Sequence, residues 1–279
     1  MKLALFDDGS GPRTGIVTGD RVVPTGLAGG MIELIARWDE VRAGLAARAA
    51  SAEGTPLAAV RLLAPVPRPG KIFAIGLNYA DHIAESKMET PPHQVWFTKA
   101  ATSVNGPFDP VQIPKISGFV DYEVELVAVI GWAGKHIARE DAAKHVFGYC
   151  VGDDVTERMW QHRTPQWSLG KSFDTHAPIG PWITTADEIA DVHALDLSCR
   201  VNGEVRQASN TRHLVFDLFA QIEHLSQAMT LEPGDLIFTG TPGGVGAAMD
   251  PRQFLKAGDV VRCEIEGLGH IENRFEAEV

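Results

Sequence analysis

The run Asp121-Tyr-Glu-Val-Glu-Leu-Val-Ala-Val-Ile130 constrains the fold of this chain more than any other segment. Side chains alternate along an extended strand, so Tyr122, Val124, Leu126, Ala128 and Ile130 share one face, and Glu123, Glu125, Val127 and Val129 share the other. Both faces are apolar over most of their length, which marks a strand covered on two sides. A fold that accepts this segment must therefore cover a sheet twice and also accommodate two carboxylates two residues apart. Taken out of water, such a pair costs several kcal/mol per ion unless a cation compensates. The strand itself carries no Lys or Arg.

A place at a wet sheet edge would spare the two glutamates that cost, but a second acidic element argues for a shared site. The apolar run Val146-Phe-Gly-Tyr-Cys-Val-Gly152 ends in Asp153-Asp154, which puts at least one more carboxylate at a strand terminus. Neighbours on a strand point opposite ways, so one of these two aspartates joins the glutamates. Three carboxylates without a His or Cys pair describe a hard, oxygen-seeking cation, Mg²⁺ or Mn²⁺, rather than zinc. About three octahedral positions would stay open, enough for a chelating 2-oxo acid or enolate and a water. The cation would then stabilise negative charge developing on the keto oxygen.

Strand-like runs dominate from Lys71 onward: 71–75, 95–98, 122–132, 146–152, 195–201, 236–239 and 260–265. Helical patterns are few, at 81–87, 139–145 and 216–229, with no regular strand-helix alternation, so the expectation is a β-rich α+β fold. Val201-Asn-Gly-Glu204 supplies a primed hairpin turn. Upstream, short strands at 2–6, 15–18 and 21–23, the last two joined by a Gly19-Asp20 turn, precede a helix over 31–50, interrupted at Gly44. The proline-spaced run Ala64-Pro-Val-Pro-Arg-Pro-Gly70 suits a linker. The division expected is a small N-terminal β/α domain over 1–65 and a catalytic domain over 71–279.

Lys plus Arg number 25 against 36 Asp plus Glu, a formal charge of −11, with no basic cluster; nucleic acid and anionic membranes are disfavoured as partners. Cys150, Cys199 and Cys263 are an odd, scattered set, read as reduced core residues, and with no secretory or membrane-spanning pattern the expected location is the cytoplasm.

His82 and Glu85 lie three apart in a helical pattern, a spacing that places a carboxylate beside an imidazole and can set up a general base, or merely a surface ion pair. The polar, proline-tipped run Lys87–Pro92 that follows suits a lid. Gly170-Lys-Ser172 is no phosphate loop, because the motif's first glycine would fall on Pro165. Gly240-Thr-Pro-Gly-Gly-Val-Gly246 lacks dinucleotide spacing and reads as a loop approaching a ligand through its backbone. Lys171 is a candidate oxyanion partner, whereas His136, His145, His162, His176, His193, His213, His224 and His270 read as structural or solvated.

The segments Ile75-Gly-Leu-Asn-Tyr-Ala-Asp-His82 with Glu85, Asp121–Leu126, Gly148–Arg158, Gly170–Asp174 with Gly180-Pro181, and Leu231–Gly246 together resemble the fumarylacetoacetate hydrolase family, in the family's order over most of 71–279. The resemblance implies a β-roll-like catalytic domain, a homodimer, and Mg²⁺ or Mn²⁺ held by Glu123, Glu125 and Asp154. It assigns proton transfer or water activation to His82 and Glu85, with Lys171 as the family's lysine. Substrate contacts fall on Arg158, Gln161, Thr241 and Tyr79; Leu77 stands where some relatives carry arginine. The activity expected first is carbon-carbon hydrolysis of an acylpyruvate-like 2,4-dioxo acid. The alternative on the same site is an oxaloacetate decarboxylase or keto-enol tautomerase, or a 2-hydroxymuconate-type isomerase or decarboxylase. A non-catalytic binder of the same fold would have no need of the dyad, the lysine and the ligand set together.

Overall fold

The computed structural model describes residues 1–85, 89 and 91–279. Its centre is the strand Val124–Ile130, buried along its whole length. It pairs antiparallel with Val146–Asp153 on one side and with Leu236–Phe238 on the other. The large sheet continues through Ile72–Gly76 to Val95–Thr98 in one direction. In the other it passes through Ala177–Thr185 to the N-terminal strands Lys2–Asp7, Arg13–Thr18 and Arg21–Pro24. The join is a direct ladder, Lys2 opposite Thr184 and Leu3 opposite Ile183, so the N-terminal strands extend the same sheet.

A second sheet of five strands, ordered Glu204–Asn210, Asp196–Val201, Val260–Ile265, Gly269–Ala277 and Val111–Ile113, covers one face of the first. There Tyr122, Val124, Leu126, Ala128 and Ile130 pack with Leu197, Val261, Ile271 and Phe275. Val127 and Val129, on the opposite face, pack with Met31, Ile35, Trp38, Ile72 and Phe97. Each large apolar side chain so buried contributes about 1.5–3 kcal/mol. The alternation in the sequence is thus realised as two separate cores, and the glutamates share the Val127 face at the end of the strand.

The N-terminal helix divides at Arg37, not at Gly44, into Met31–Ala36 and Trp38–Ser51. The break turns Trp38 edge-on to Phe147, 5.0 Å between ring centroids. Gly44 needs no break, because open space surrounds it. The proline-rich run 64–70 is a packed connection, with Ala64 and Val66 buried against the Val127 core. The hairpin at Asn202-Gly203 has the expected left-handed pair, φ 51° and 84°. The pattern at 139–145 forms a 3₁₀ helix, and Leu218–Ala228 forms an α-helix capped by Asp217, whose carboxylate accepts from Ala220 N at 3.0 Å. Of the helix expected over 81–87, the structure shows Ala80–Glu85; Ser86 and Lys87, with Met88 and Thr90 of the expected lid, lie outside the described residues.

Candidate functional site

Strand register brings the carboxylates together. Val124 lies opposite Asp153, so Glu123 and Glu125 flank the end of the neighbouring strand. Asp153 accepts from Glu123 N at 2.7 Å, and Asp154 N donates to Glu123 O at 2.9 Å. The first aspartate is thereby spent on the backbone, and the second meets the glutamates. Glu123, Glu125 and Asp154 are buried, each offering an oxygen within 4.8 Å of the others.

The cations that make this burial tolerable come from distant segments. Lys171 Nζ lies 2.6 Å from both Glu123 and Asp154. Lys99 Nζ, fully enclosed, lies 2.6 Å from the other Asp154 oxygen and donates to the carbonyl of Lys171. Arg158 reaches Glu123 at 2.7 Å and Asp121 at 2.8 Å, and donates to Gln161 Oε1 at 3.0 Å. Burial alone would raise the Glu123 carboxyl, but Lys171 and Arg158 override it and hold the group at about 2. Among the described residues no cation pairs with Glu125; burial, Asp154 and Glu123 push its carboxyl well above the usual range. A divalent cation among the three oxygens would remove that penalty, so the donor set fits Mg²⁺ or Mn²⁺.

The glycine-dense loop does use its backbone, but its N–H groups grip the protein's own carboxylates. Gly240 N donates to Glu125 at 2.7 Å, Gly244 N to Glu85 at 2.9 Å, and Gly246 N and Ala247 N to Asp121 at 2.8 and 2.9 Å. Gly240 has φ +103°, and a Cβ there would meet Asn78, so no other residue fits this turn.

These elements enclose a cavity of about 260 Å³. Of the residues expected to act, His82, Glu85, Glu123, Glu125, Arg158, Gln161, Lys171 and Thr241 line it, with Asp154 beneath. His82 Nδ1 is 3.8 Å from Glu85 Oε2, close enough for charge support but longer than a hydrogen bond. Beside His82 and the Gly244 N–H, the Glu85 carboxyl is held below its usual range. Tyr79 is not brought to the lining: its ring is fully buried, its hydroxyl finds no partner among the described residues, and burial raises it. Leu77, at φ 55°, and the pair Phe97 and Trp167, 5.7 Å apart, form apolar wall.

Sequence reasoning missed Lys99, Asp121, Gln207 and Trp167, and placed His162 among the structural or solvated histidines although it lines the cavity. For Lys99 there was a signal, a lysine directly after the apolar strand Val95–Thr98; for Gln207 there was none.

The family described as fumarylacetoacetate (FAA) hydrolase C-terminal matches residues 71–276. The chain belongs to the fumarylacetoacetate hydrolase family, whose members are enzymes. It is 51% identical over 216 residues to the mitochondrial oxaloacetate tautomerase fahd2 of Xenopus laevis, covering 77% of this chain and 68% of that protein. Among solved structures, it resembles maleylpyruvate hydrolase from Sphingobium sp. SYK-6, in complex with manganese (II) ion and pyruvate, with 37% identity, a TM-score of 0.87 and full coverage of both chains. It also resembles 5-carboxymethyl-2-hydroxymuconate delta-isomerase from Mycobacterium smegmatis, with 33% identity, a TM-score of 0.81 and full coverage of both.

Proposed function

We propose that this protein is a divalent-metal-dependent oxaloacetate keto-enol tautomerase. The observation that carries this reading is the His82–Glu85 pair lining one cavity with the carboxylate triad, a proton relay beside a site that favours an enolate. The 51% identity to an oxaloacetate tautomerase supports the proton-transfer branch over the hydrolysis expected first.

Tautomerisation moves one proton from the carbon next to the keto group to the keto oxygen and needs no attacking water. With Nδ1 turned to Glu85, His82 presents Nε2 to the substrate, takes the carbon-bound proton and returns it to oxygen. Glu85, fixed by the Gly244 N–H, stabilises the imidazolium formed between the two transfers. Lys171 offsets charge on the substrate oxygens, and Arg158, Gln161 and Thr241 orient its carboxylates. Held by Glu123, Glu125 and Asp154, a divalent cation would supply Lewis acidity to a 2-oxo acid.

The test is to follow the enol absorbance of oxaloacetate with Mn²⁺-loaded protein, and to run acetylpyruvate in parallel by proton NMR. Faster keto-enol exchange that falls about 10²–10⁴-fold in His82→Ala, with Mn²⁺ binding retained, is the expected result. Acetate and pyruvate from acetylpyruvate, with oxaloacetate exchange no faster than in buffer, would return the protein to the hydrolase branch.

A further inference from the structure

Gln207 comes from the second sheet, in the strand Glu204–Asn210, and has no charge with which to hold a metal or move a proton. Its side chain is nevertheless buried between the carboxylate strand and the glycine-dense loop, with three hydrogen bonds. Oε1 accepts from Val124 N, between the two glutamates, at 3.0 Å. Nε2 donates to Thr241 Oγ1 at 2.8 Å and to Pro242 O at 2.8 Å.

Two of these partners leave no choice of orientation. A backbone N–H can only donate and a backbone carbonyl can only accept, so the amide oxygen faces Val124 and the amide nitrogen faces Pro242. The Thr241 hydroxyl, meeting that nitrogen, must accept from it. Its own proton is therefore turned away from Gln207, and among the described residues the Thr241 hydroxyl donates to no protein acceptor. Thr241 lines the cavity.

We infer that Gln207 is a positioning residue that fixes the Thr241 hydroxyl as a hydrogen-bond donor facing the cavity, there to receive a carboxylate oxygen of the substrate. The inference rests on the reading of the cavity as a 2-oxo acid site. Without Gln207 the hydroxyl is free to rotate or to donate within the protein, and an incoming carboxylate must first reorient it. With Gln207 the donor is set before the substrate arrives, at no ordering cost on binding.

The test is a double-mutant cycle read by calorimetric titration of pyruvate into the Mn²⁺-loaded protein. Thr241→Val removes the donor at nearly constant volume and should weaken pyruvate binding about tenfold, the value of one hydrogen bond to an anion. Gln207→Glu keeps the shape but offers at most one donor where the amide offers two, and it should give a loss of similar size. The double variant should bind no worse than the weaker single, because both changes remove the same O–H. Thr241→Ser, which keeps the hydroxyl, should recover most of the affinity. Additive losses in the double variant, or a folded Gln207→Glu with wild-type affinity, would overturn the inference. Should Gln207→Glu not fold, Gln207→Met enters the same cycle with the same two criteria. Failure of the wild type to bind pyruvate would instead refute the 2-oxo acid reading itself.

Discussion

Lys99 offers the sharpest quantitative test of how the acidic centre is held. Its ammonium, with no exposed side-chain surface, sits 2.6 Å from an Asp154 oxygen that is equally enclosed. At an effective dielectric constant of about 20, two unit charges so close attract by about 6 kcal/mol. Part of this offsets the desolvation of the ammonium, a burden visible in the lowering of Lys99 by burial. Lys99→Met fills most of the same volume, opens no large cavity, and leaves Asp154 with Lys171 alone. Breaking a buried pair from one side costs about 3–5 kcal/mol, and that loss is expected in urea unfolding with EDTA present. The same substitution frees an Asp154 oxygen and adds one negative charge, so Mn²⁺ should bind the variant more tightly and restore more stability than it gives the wild type. A variant within about 1 kcal/mol of wild type in EDTA, or an equal gain from Mn²⁺ in both proteins, would refute this electrostatic account.

Two further outcomes follow from the titrating groups. Because burial and its two carboxylate neighbours push Glu125 well above the usual range, Mn²⁺ binding should release about one proton, seen as a buffer-dependent heat in calorimetry, and Glu125→Gln should abolish that release. His176 donates Nε2–H to Gln112 O at 2.8 Å, and burial lowers it from 6.5 to about 3. The folded state keeps this ring neutral while the unfolded chain protonates it below 6.5, so the stability it contributes is complete above that pH and is lost as pH falls toward 3. The unfolding free energy of the wild type, from urea titrations at each pH, should fall faster than that of His176→Gln as acid is added across that window, by at most about 1.4 kcal/mol per pH unit.

What the sequence made legible was whatever a short window can encode. Alternation over 122–130 identified the two-faced strand and set the glutamates on one side of it, and Asn202-Gly203 identified its turn through backbone conformation alone. The break at Arg37 was not legible, because the driving contact is Trp38 on Phe147, more than a hundred positions away. The ion pairs of the compensating cations escaped for the same reason: Lys171 stood out as an oxyanion partner, but its pairing with Glu123 and Asp154, like that of Lys99 with Asp154, joins residues 17 to 55 positions apart, which no short window encodes. Only the need for them was readable, from two carboxylates on a strand too apolar to be wet.

That need also bears on the order in which the site fills. Asp121, Glu123, Glu125 and Asp154 oppose Lys99, Lys171 and Arg158, so these seven groups are negative by one charge when all are ionised, and the neighbouring Asp153 and Glu85 carboxyls can only add to that sign. The raised Glu125 brings the seven to neutrality when that carboxyl keeps its proton. Neither state attracts an anionic 2-oxo acid, and both lysines are already committed to protein carboxylates. A bound divalent cation with Glu125 ionised leaves these seven groups positive by one, a shift of two charges toward the sign an incoming carboxylate requires. Pyruvate should therefore show no measurable heat of binding to EDTA-treated protein and clear binding after Mn²⁺ is added. Equal pyruvate affinity with and without the cation would mean that anion recognition resides in Arg158, Gln161 and Thr241 alone, and that the acidic triad serves the fold rather than the substrate.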